Sequence, residues 1–501
     1  MRTVFCFIIV LVFSTFTTLA QQRSVKRGVG WDEKLQPMTN APVDKMSPGI
    51  CWYYNWGLSP QGNVTNVGPG LDMEYVPMCW NGGFNETTLR NYLNAHPGVK
   101  YLLGFNEPNF SSQANMTPQK AAEAWPKLEK IADDYGLQLV APALNFSGEK
   151  VGGRTWNPYE WYDEFFRLLP EAKLDYLALH CYMNWYSATT WFATEYFYKD
   201  LYDTSKTDVY GRYPNLKAFL DNYRMANGHF PLMFLTEFCS WENDGTISSV
   251  NFQIDQMTQK VQKLEQSDLV AAYAWFMGNA ASGASSYPYM SIFQTNNAAS
   301  DLSELGRVYV YMSSFDTTKY YAPDETVWAK DYVDASLDNQ QPRLRSNTDA
   351  QTNVPLQVEM QSGTWLSYQF TLPSDGDYTL KMRMKSGADN SFRVYQDAFG
   401  SANAKLKTTL TSTSNLWQDV EVTVPLSAGQ RHIIIYNGAS TSMYLNSLML
   451  SATQETAIGT VDAQRSTLNA QPCYTLSGIL LHAVPQQKGI YIQGGHKRLV
   501  R

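Results

Sequence analysis

Two glutamates in this 501-residue chain stand where acid–base and nucleophilic chemistry could be done, Glu107 in LLGFNEPN (Leu102–Asn109) and Glu237 in FLTEF (Phe234–Phe238). Each ends an apolar run. Two carboxyl groups converging on one opening are the minimum set for cleaving a glycosidic bond: one protonates the leaving oxygen, the other attacks the sugar or activates water. A separation of about 5–5.5 Å would mean a retaining reaction and roughly 6.5–9.5 Å an inverting one. Alone, Asn106-Glu107-Pro108 would equally suit a helix start, with proline in the first turn and an acid near the dipole. The pairing with Glu237 is what points to catalysis. A third run ends His180-Cys181-Tyr182, where strand alternation sends His180 and Tyr182 to one side and Cys181 to the other. The tyrosine can donate to the attacking carboxylate and keep it ionised. The histidine can bond the sugar, hold a neighbouring glutamate, or serve only as a hydrogen-bonded support. Trp275 is expected as a platform beneath the sugar. Tyr54 and Asn55, with Trp52 and Trp56 beside them, and Trp185 and Trp241 in loops, are expected to line a groove, at least half of these aromatics being packing residues.

These residues need a frame that brings run ends together. From Lys26 to about Tyr311, short apolar runs alternate with longer amphipathic stretches, the pattern of a parallel sheet with crossover helices. Eight runs can be counted: Arg27–Trp31, Ile50–Trp56, Tyr75–Trp80, Tyr101–Glu107, Gln138–Leu144, Asp175–Tyr182, Leu232–Phe238 and Leu269–Met277. The expected helices include Pro118–Tyr135, Pro158–Leu169, Pro214–Ala226 and Val250–Gln266. The fold class is therefore α/β, a (β/α)8 TIM barrel over residues 26–315, in which chemistry sits at the C-terminal strand ends. Counting Arg27–Trp31 as the first strand makes the glutamates the ends of strands four and seven. Beyond about Asp324, alternating apolar and polar residues separated by turn pairs such as Asp375-Gly376 and Asn437-Gly438 predict an all-β sandwich over 324–453, with a linker and short tail over 454–501.

Lysine and arginine number 39 against 46 aspartate and glutamate, a formal charge of −7 that gives no reason to expect nucleic acid as a partner. Residues 1–20 read as a signal peptide with cleavage after Ala20, and no later stretch is long and apolar enough to span a bilayer, so a secreted or cell-surface monomer is expected. Cys51, Cys79, Cys181, Cys239 and Cys473 lack the Cys-x-x-Cys spacing of a zinc site and are expected to be mostly buried thiols, with room for one disulfide. The proposed chemistry requires no metal or organic cofactor.

KRGVGW (Lys26–Trp31), CWYYNW (Cys51–Trp56), EYVPM (Glu74–Met78), LLGFNEPN, HCY (His180–Tyr182) and TEF (Thr236–Phe238) together resemble glycoside hydrolase family 128, the group with an Asl1-like catalytic core. The resemblance implies a retaining barrel hydrolase in which Glu107 is the acid/base, Glu237 the nucleophile, Asn106 a contact to the sugar 2-hydroxyl, and Tyr182 a support for Glu237. It also implies endo-cleavage of β-1,3-glucan. GTWLSY (Gly363–Tyr368), LPSDGDY (Leu372–Tyr378) and LWQDVEV (Leu416–Val422) resemble carbohydrate-binding module family 6, which implies a sugar-stacking role for Trp417 and allows a calcium ion in the sandwich. Val327-Trp328-Ala329-Lys330 stands where that family usually begins with acidic residues, and Tyr444 where it usually has asparagine. The tail, with its Gly-Ile-Tyr-Ile strand (Gly489–Ile492) and basic end, resembles the C-terminal sorting tails of secreted Bacteroidetes proteins. Two alternatives stay open: a glycan-binding protein without turnover, and a retaining hydrolase of another β-glucan.

Overall fold

The computed structural model describes residues 21–182 without 147, then 193–203, 205, 212–240, 247–280, 289–294 and 300–453, and four strands within 473–500. The expected signal peptide, Trp185 and Trp241 lie outside the described residues.

Eight parallel strands form one curled sheet: β1 (Arg27–Gly30), β2 (Trp52–Tyr54), β3 (Glu74–Tyr75), β4 (Tyr101–Leu103), β5 (Gln138–Val140), β6 (Tyr176–Cys181), β7 (Leu232–Phe238) and β8 (Val270–Trp275). Strand β1 pairs with β2 on one side and β8 on the other, so the order runs β3-β2-β1-β8-β7-β6-β5-β4. The two ends of that order meet where Cys79 N–H donates to Leu103 O and Leu103 N–H to Pro77 O, both at 2.9 Å. This arrangement is consistent with a (β/α)8 barrel. Because Arg27–Gly30 is a full member, Glu107 follows β4 and Glu237 lies in β7.

The sheet interior is filled by small and aromatic side chains in turn. Trp52, Tyr54, Leu103, Val140, Ala178, Phe234, Ala272 and Ala274 form one buried cluster, while Val29, Tyr53, Leu177, Leu179 and Tyr273 belong to another that includes the helix side chains. The glycines of KRGVGW serve the first cluster. A Cβ on Gly28 would meet the Trp52 ring at 2.2 Å and one on Gly30 the Trp56 ring at 3.0 Å.

Helices α1 (Asn40–Met46), α2 (Glu86–Ala95), α3 (Pro118–Tyr135), α4 (Pro158–Leu168), α5 (Ala193–Tyr202), α6 (Pro214–Asn227), α7 (Val250–Gln266) and α8 (Glu304–Tyr311) connect the strands. Their starts follow sequence rules. Thr117, Asn157, Ser249 and Ser303 each accept a backbone N–H at the N-cap, and Pro118 and Pro158 occupy the first turn. Gly136 and Gly228 end α3 and α6 with left-handed φ of 66° and 79°.

Two antiparallel sheets follow. One contains β9 (Val327–Trp328), β11 (Arg343–Ser346), β12 (Leu356–Met360), β14 (Gly376–Ser386), β17 (Gln418–Leu426) and β19 (Met443–Ala452), in the order β11-β12-β19-β14-β17 with β9 pairing β19. The other runs β10-β13-β18-β15-β16, from Asp334–Ala335, Trp365–Leu372, Gly429–Asn437, Asn390–Gln396 and Ala404–Leu410. Alternate residues such as Tyr378, Leu380, Met382, Leu366, Tyr368 and Phe370 are fully or almost fully buried. The β/α part and these sheets form one compact unit, ending at Thr453. Asp255 of α7 pairs with Arg345 at 2.8 and 3.1 Å, Gln262 donates to Asp334 and Ala335 O, and Glu304 of α8 accepts from Ser346. Gln454–Arg501 is a second unit, with a four-stranded antiparallel sheet, β20 (Cys473–Thr475), β21 (Leu480–Leu481), β22 (Gly489–Gln493) and β23 (His496–Val500). Cys51, Cys79, Cys181 and Cys239 are thiols. No described helix is long and apolar enough to cross a membrane.

Candidate active site

A cleft of about 980 Å³ opens where β1–β8 end, and Glu107 and Glu237 both line it. Strand alternation alone would not bring Glu237 there. Phe234 faces the interior, so strict alternation would turn Thr236 and Phe238 inward and Glu237 away. The register slips by one residue at that point: Leu179 pairs with Leu235, but His180 pairs with Glu237. The extra residue resets the alternation and aims Glu237 into the cleft. Glu107 is placed by backbone as well. Its N–H donates to Ala143 O at 2.9 Å, and its φ of 42° lies in the left-handed region, a strain of about 1–3 kcal/mol for a residue with a side chain.

His180 stands between the two carboxylates. Its Nδ1 lies 2.8 Å from Glu107 Oε1 and 3.4 Å from Glu237 Oε2, and one ligand atom from each of the three residues falls within 4.8 Å of the others. Nδ1 must carry the proton to meet two carboxylates, and Nε2 faces Thr236 Oγ1 at 3.0 Å. Among the described residues this trio is the one grouping of histidine, cysteine and acids close enough to resemble a metal ligand set. Within it, His180 Nδ1 and Glu107 Oε1 are hydrogen-bonded, and His180 also lies within ion-pair distance of Glu237.

Glu237 has a dense shell of donors. Trp56 Nε1–H donates to Oε1 at 2.8 Å, Tyr54 OH to the same oxygen at 3.2 Å, and Tyr182 OH to Oε2. Hydrogen bonds were expected to keep this carboxylate readily ionised. Burial instead pushes its pKa above the usual carboxylate value and the charge of Glu107 adds to that, while His180, Tyr182 and Trp56 pull it back without cancelling the rise. For His180, burial works against the charged ring, but Glu237 and Glu107 outweigh it and raise its pKa above 6.5. Glu107 receives Asn145 Nδ2–H on Oε1 at 3.0 Å, beside the His180 bond.

The family is decided by the chain segment that builds this cleft. Residues 28–309 match the family described as glycosyl hydrolase catalytic core. The chain belongs to that family. It is also 25% identical over 296 residues to Alkali-sensitive linkage protein 1 of Schizosaccharomyces pombe, a match covering 57% of this chain and 44% of that protein, so the chain spans less than half of the relative's length. Among solved structures, it is similar to a glycoside hydrolase family 128 (subgroup II) endo-β-1,3-glucanase from Pseudomonas viridiflava, with 30% identity, 58% of this chain and 98% of the other covered, and a TM-score of 0.41. The corresponding figures for the subgroup II endo-β-1,3-glucanase from Sorangium cellulosum are 28% identity, 57% and 97% coverage, and 0.41.

In this glycosyl hydrolase, Asn55, Asn106, Glu107, Tyr182 and Glu237 line the cleft. Tyr54 and His180 lie beneath it, fully or almost fully buried, and hold the carboxylates. Asn55 also braces its own turn, donating to Ser59 O at 3.0 Å and accepting from Gly57 N–H. Trp275 is elsewhere. Ala272 and Ala274 face the interior, so alternation turns Trp275 outward, where it is fully buried against Phe238 and Tyr309 and donates to Met290 O at 2.8 Å. The aromatic that reaches the cleft from β8 is its neighbour Phe276. Trp417 sits on the first antiparallel sheet with Lys385 Nζ 5.0 Å from its ring centre, and the same ammonium is 4.9 Å from Tyr444.

The roles of three contributors were not read from sequence. Asn145 immediately follows the fifth run, so the rule that found Glu107, a polar residue ending an apolar run, finds it too. Trp56 was expected only as groove lining, although its indole N–H is the better-placed part. Thr236 is one residue from Glu237, and nothing in the pattern marks its bond to His180.

Proposed function

We propose that this chain is an exported endo-β-1,3-glucanase that cleaves by double displacement with retention. The observation that carries the mechanism is the close approach of Glu107 and Glu237, within 4.8 Å through their nearest oxygens. That favours direct attack, because an inverting pair needs roughly 6.5–9.5 Å to admit a water. Glu107 protonates the leaving glycosidic oxygen as Glu237 attacks the anomeric carbon. The C–O bond to the leaving sugar breaks and an ester to Glu237 forms. Glu107, now a carboxylate, then takes a proton from water, whose oxygen displaces Glu237 and restores both groups. Trp56, Tyr54 and Tyr182 orient Glu237 for attack. Asn106 has a buried Oδ1 with no hydrogen-bond partner among the described residues, an acceptor available to a sugar hydroxyl.

The substrate class comes from the family 128 motifs. Endo action is supported by a cleft that extends to both sides of the carboxylates, towards Asp32, Lys34 and Leu35 after β1 and towards Phe110 and Phe146 after β4 and β5. No metal or organic cofactor enters the reaction. On the module resemblance, residues 324–453 are read as a glycan-binding β-sandwich and 454–501 as a sorting tail, with the whole acting as a monomer. Proton NMR of the first products from a β-1,3-glucan oligosaccharide tests the mechanism. New reducing ends should appear first as the β-anomer, and initial release of the α-anomer would refute double displacement.

A further inference from the structure

Asn109, the last residue of LLGFNEPN, has no task in the reaction as described. It is fully buried, and its Nδ2 donates to the backbone carbonyls of Asn145 at 2.6 Å and Trp156 at 3.1 Å. Asn145 then reaches back. Its Oδ1 accepts the Phe146 N–H at 2.8 Å, which fixes which way the amide points, so that Nδ2 is the end facing Glu107 Oε1. With His180 Nδ1 on the same atom, Oε1 has two donors, and no described residue is hydrogen-bonded to Oε2. A carboxylic acid with one oxygen occupied by donors keeps its own proton on the other.

We propose that Asn145, clamped by Asn109 and by the Phe146 N–H, is a positioning residue that places the proton of Glu107 on Oε2, toward the leaving oxygen. This rests on Glu107 being the acid. Without Asn145 the proton has two sites and the carboxyl can rotate, so protonation of the leaving group suffers while attack by Glu237 does not.

Leaving-group dependence separates such a role from a merely structural one. A β-1,3-glucan oligosaccharide needs its leaving sugar protonated, whereas a 2,4-dinitrophenyl β-laminaribioside releases a stable phenolate without help. For Asn145→Ala, kcat/KM should fall about 10- to 100-fold on the oligosaccharide and less than about 3-fold on the aryl substrate, the size expected for losing one hydrogen bond to a charged group. Asn109→Ser should move the same ratio in the same direction by less. Equal losses on both substrates, or none, in an Asn145→Ala protein with an unchanged circular dichroism spectrum would overturn the proposal. An unchanged ratio in Asn109→Ser would overturn the part given to Asn109. Glu107→Gln keeps the two ideas apart. If it shows leaving-group dependence and Asn145→Ala does not, only the positioning role fails; if it shows none, the acid assignment fails as well.

Discussion

Replacing Trp56 with phenylalanine removes a single N–H from Glu237 and keeps a ring against Tyr54 and Phe276, which lie 5.0 and 5.9 Å from it. The lost bond is 2.8 Å long and ends on a carboxylate that is almost fully buried. A hydrogen bond to a charged group is worth about 1.5–3 kcal/mol, and Tyr54 and Tyr182 remain to take up part of the loss, which favours the lower end. Since about 1.4 kcal/mol corresponds to one pKa unit, the acidic limb of the kcat/KM profile should move up by about one unit. The sign follows from the site: Trp56 is one of the groups holding the pKa of Glu237 down against burial, so its removal lets it rise further. Below the limb, the variant should be roughly ten times slower than the parent at the same pH, with a smaller deficit on the plateau. The assay is kcat/KM on a β-1,3-glucan oligosaccharide from pH 3 to 8. A limb that stays put while the plateau falls would mean that the indole acts by packing, and a limb that moves down would refute the electrostatic reasoning.

Other outcomes follow from the same geometry. The folded pKa of Glu237 lies above its unfolded value, so the group costs nothing while both states are protonated, and stability is lost as pH rises toward the folded pKa. Glu237→Gln should therefore raise the melting temperature at neutral pH by roughly 1–3 °C, with the gain vanishing below about pH 4. Trp275→Phe should destabilise by about 1–3 kcal/mol in denaturant unfolding, through lost volume and the bond to Met290 O, with KM unchanged. Asp255→Ala removes the ion pairs to Arg345 and Arg343 between α7 and the antiparallel sheet and should cost about 1–2 kcal/mol with no change in kcat.

The frame of the site was legible because apolar runs and caps are local signals. Seven of the eight runs contain a strand and the third meets its strand, Glu74–Tyr75, only at Tyr75, while the Pro118–Tyr135 and Val250–Gln266 helices begin and end at the expected residues. Both carboxylates were legible for the same reason, since each ends a run. Side-chain direction was harder to read. Trp275 and Phe276 differ by one position, and only knowing that Ala272 and Ala274 face inward assigns the cleft to Phe276. At β7 the register slip beside Thr236 decides whether Glu237 faces the cleft, and no residue type announces it. The donors to the carboxylates come from the ends of β2 and β6 and from the loop after β5, far from either glutamate in sequence. Their partnership is a product of closure, which brings the ends of β2, β4, β5, β6 and β7 to one mouth. On the antiparallel sheets, the sugar-stacking role of Trp417 was implied by the module resemblance, and what local pattern did not reveal is that Lys385, cross-strand partner of Tyr444, lies over its ring.

The central claim is that Glu237 becomes covalently attached to the sugar. A 2-deoxy-2-fluoro-β-laminaribiosyl fluoride slows both steps but keeps a good leaving group, so it should trap the intermediate. Peptide mapping by mass spectrometry after brief incubation should find one laminaribiosyl label, on Glu237, that turns over when acceptor sugar is added. An enzyme that hydrolyses β-1,3-glucan yet takes up no label, or carries it on another residue, would contradict the account.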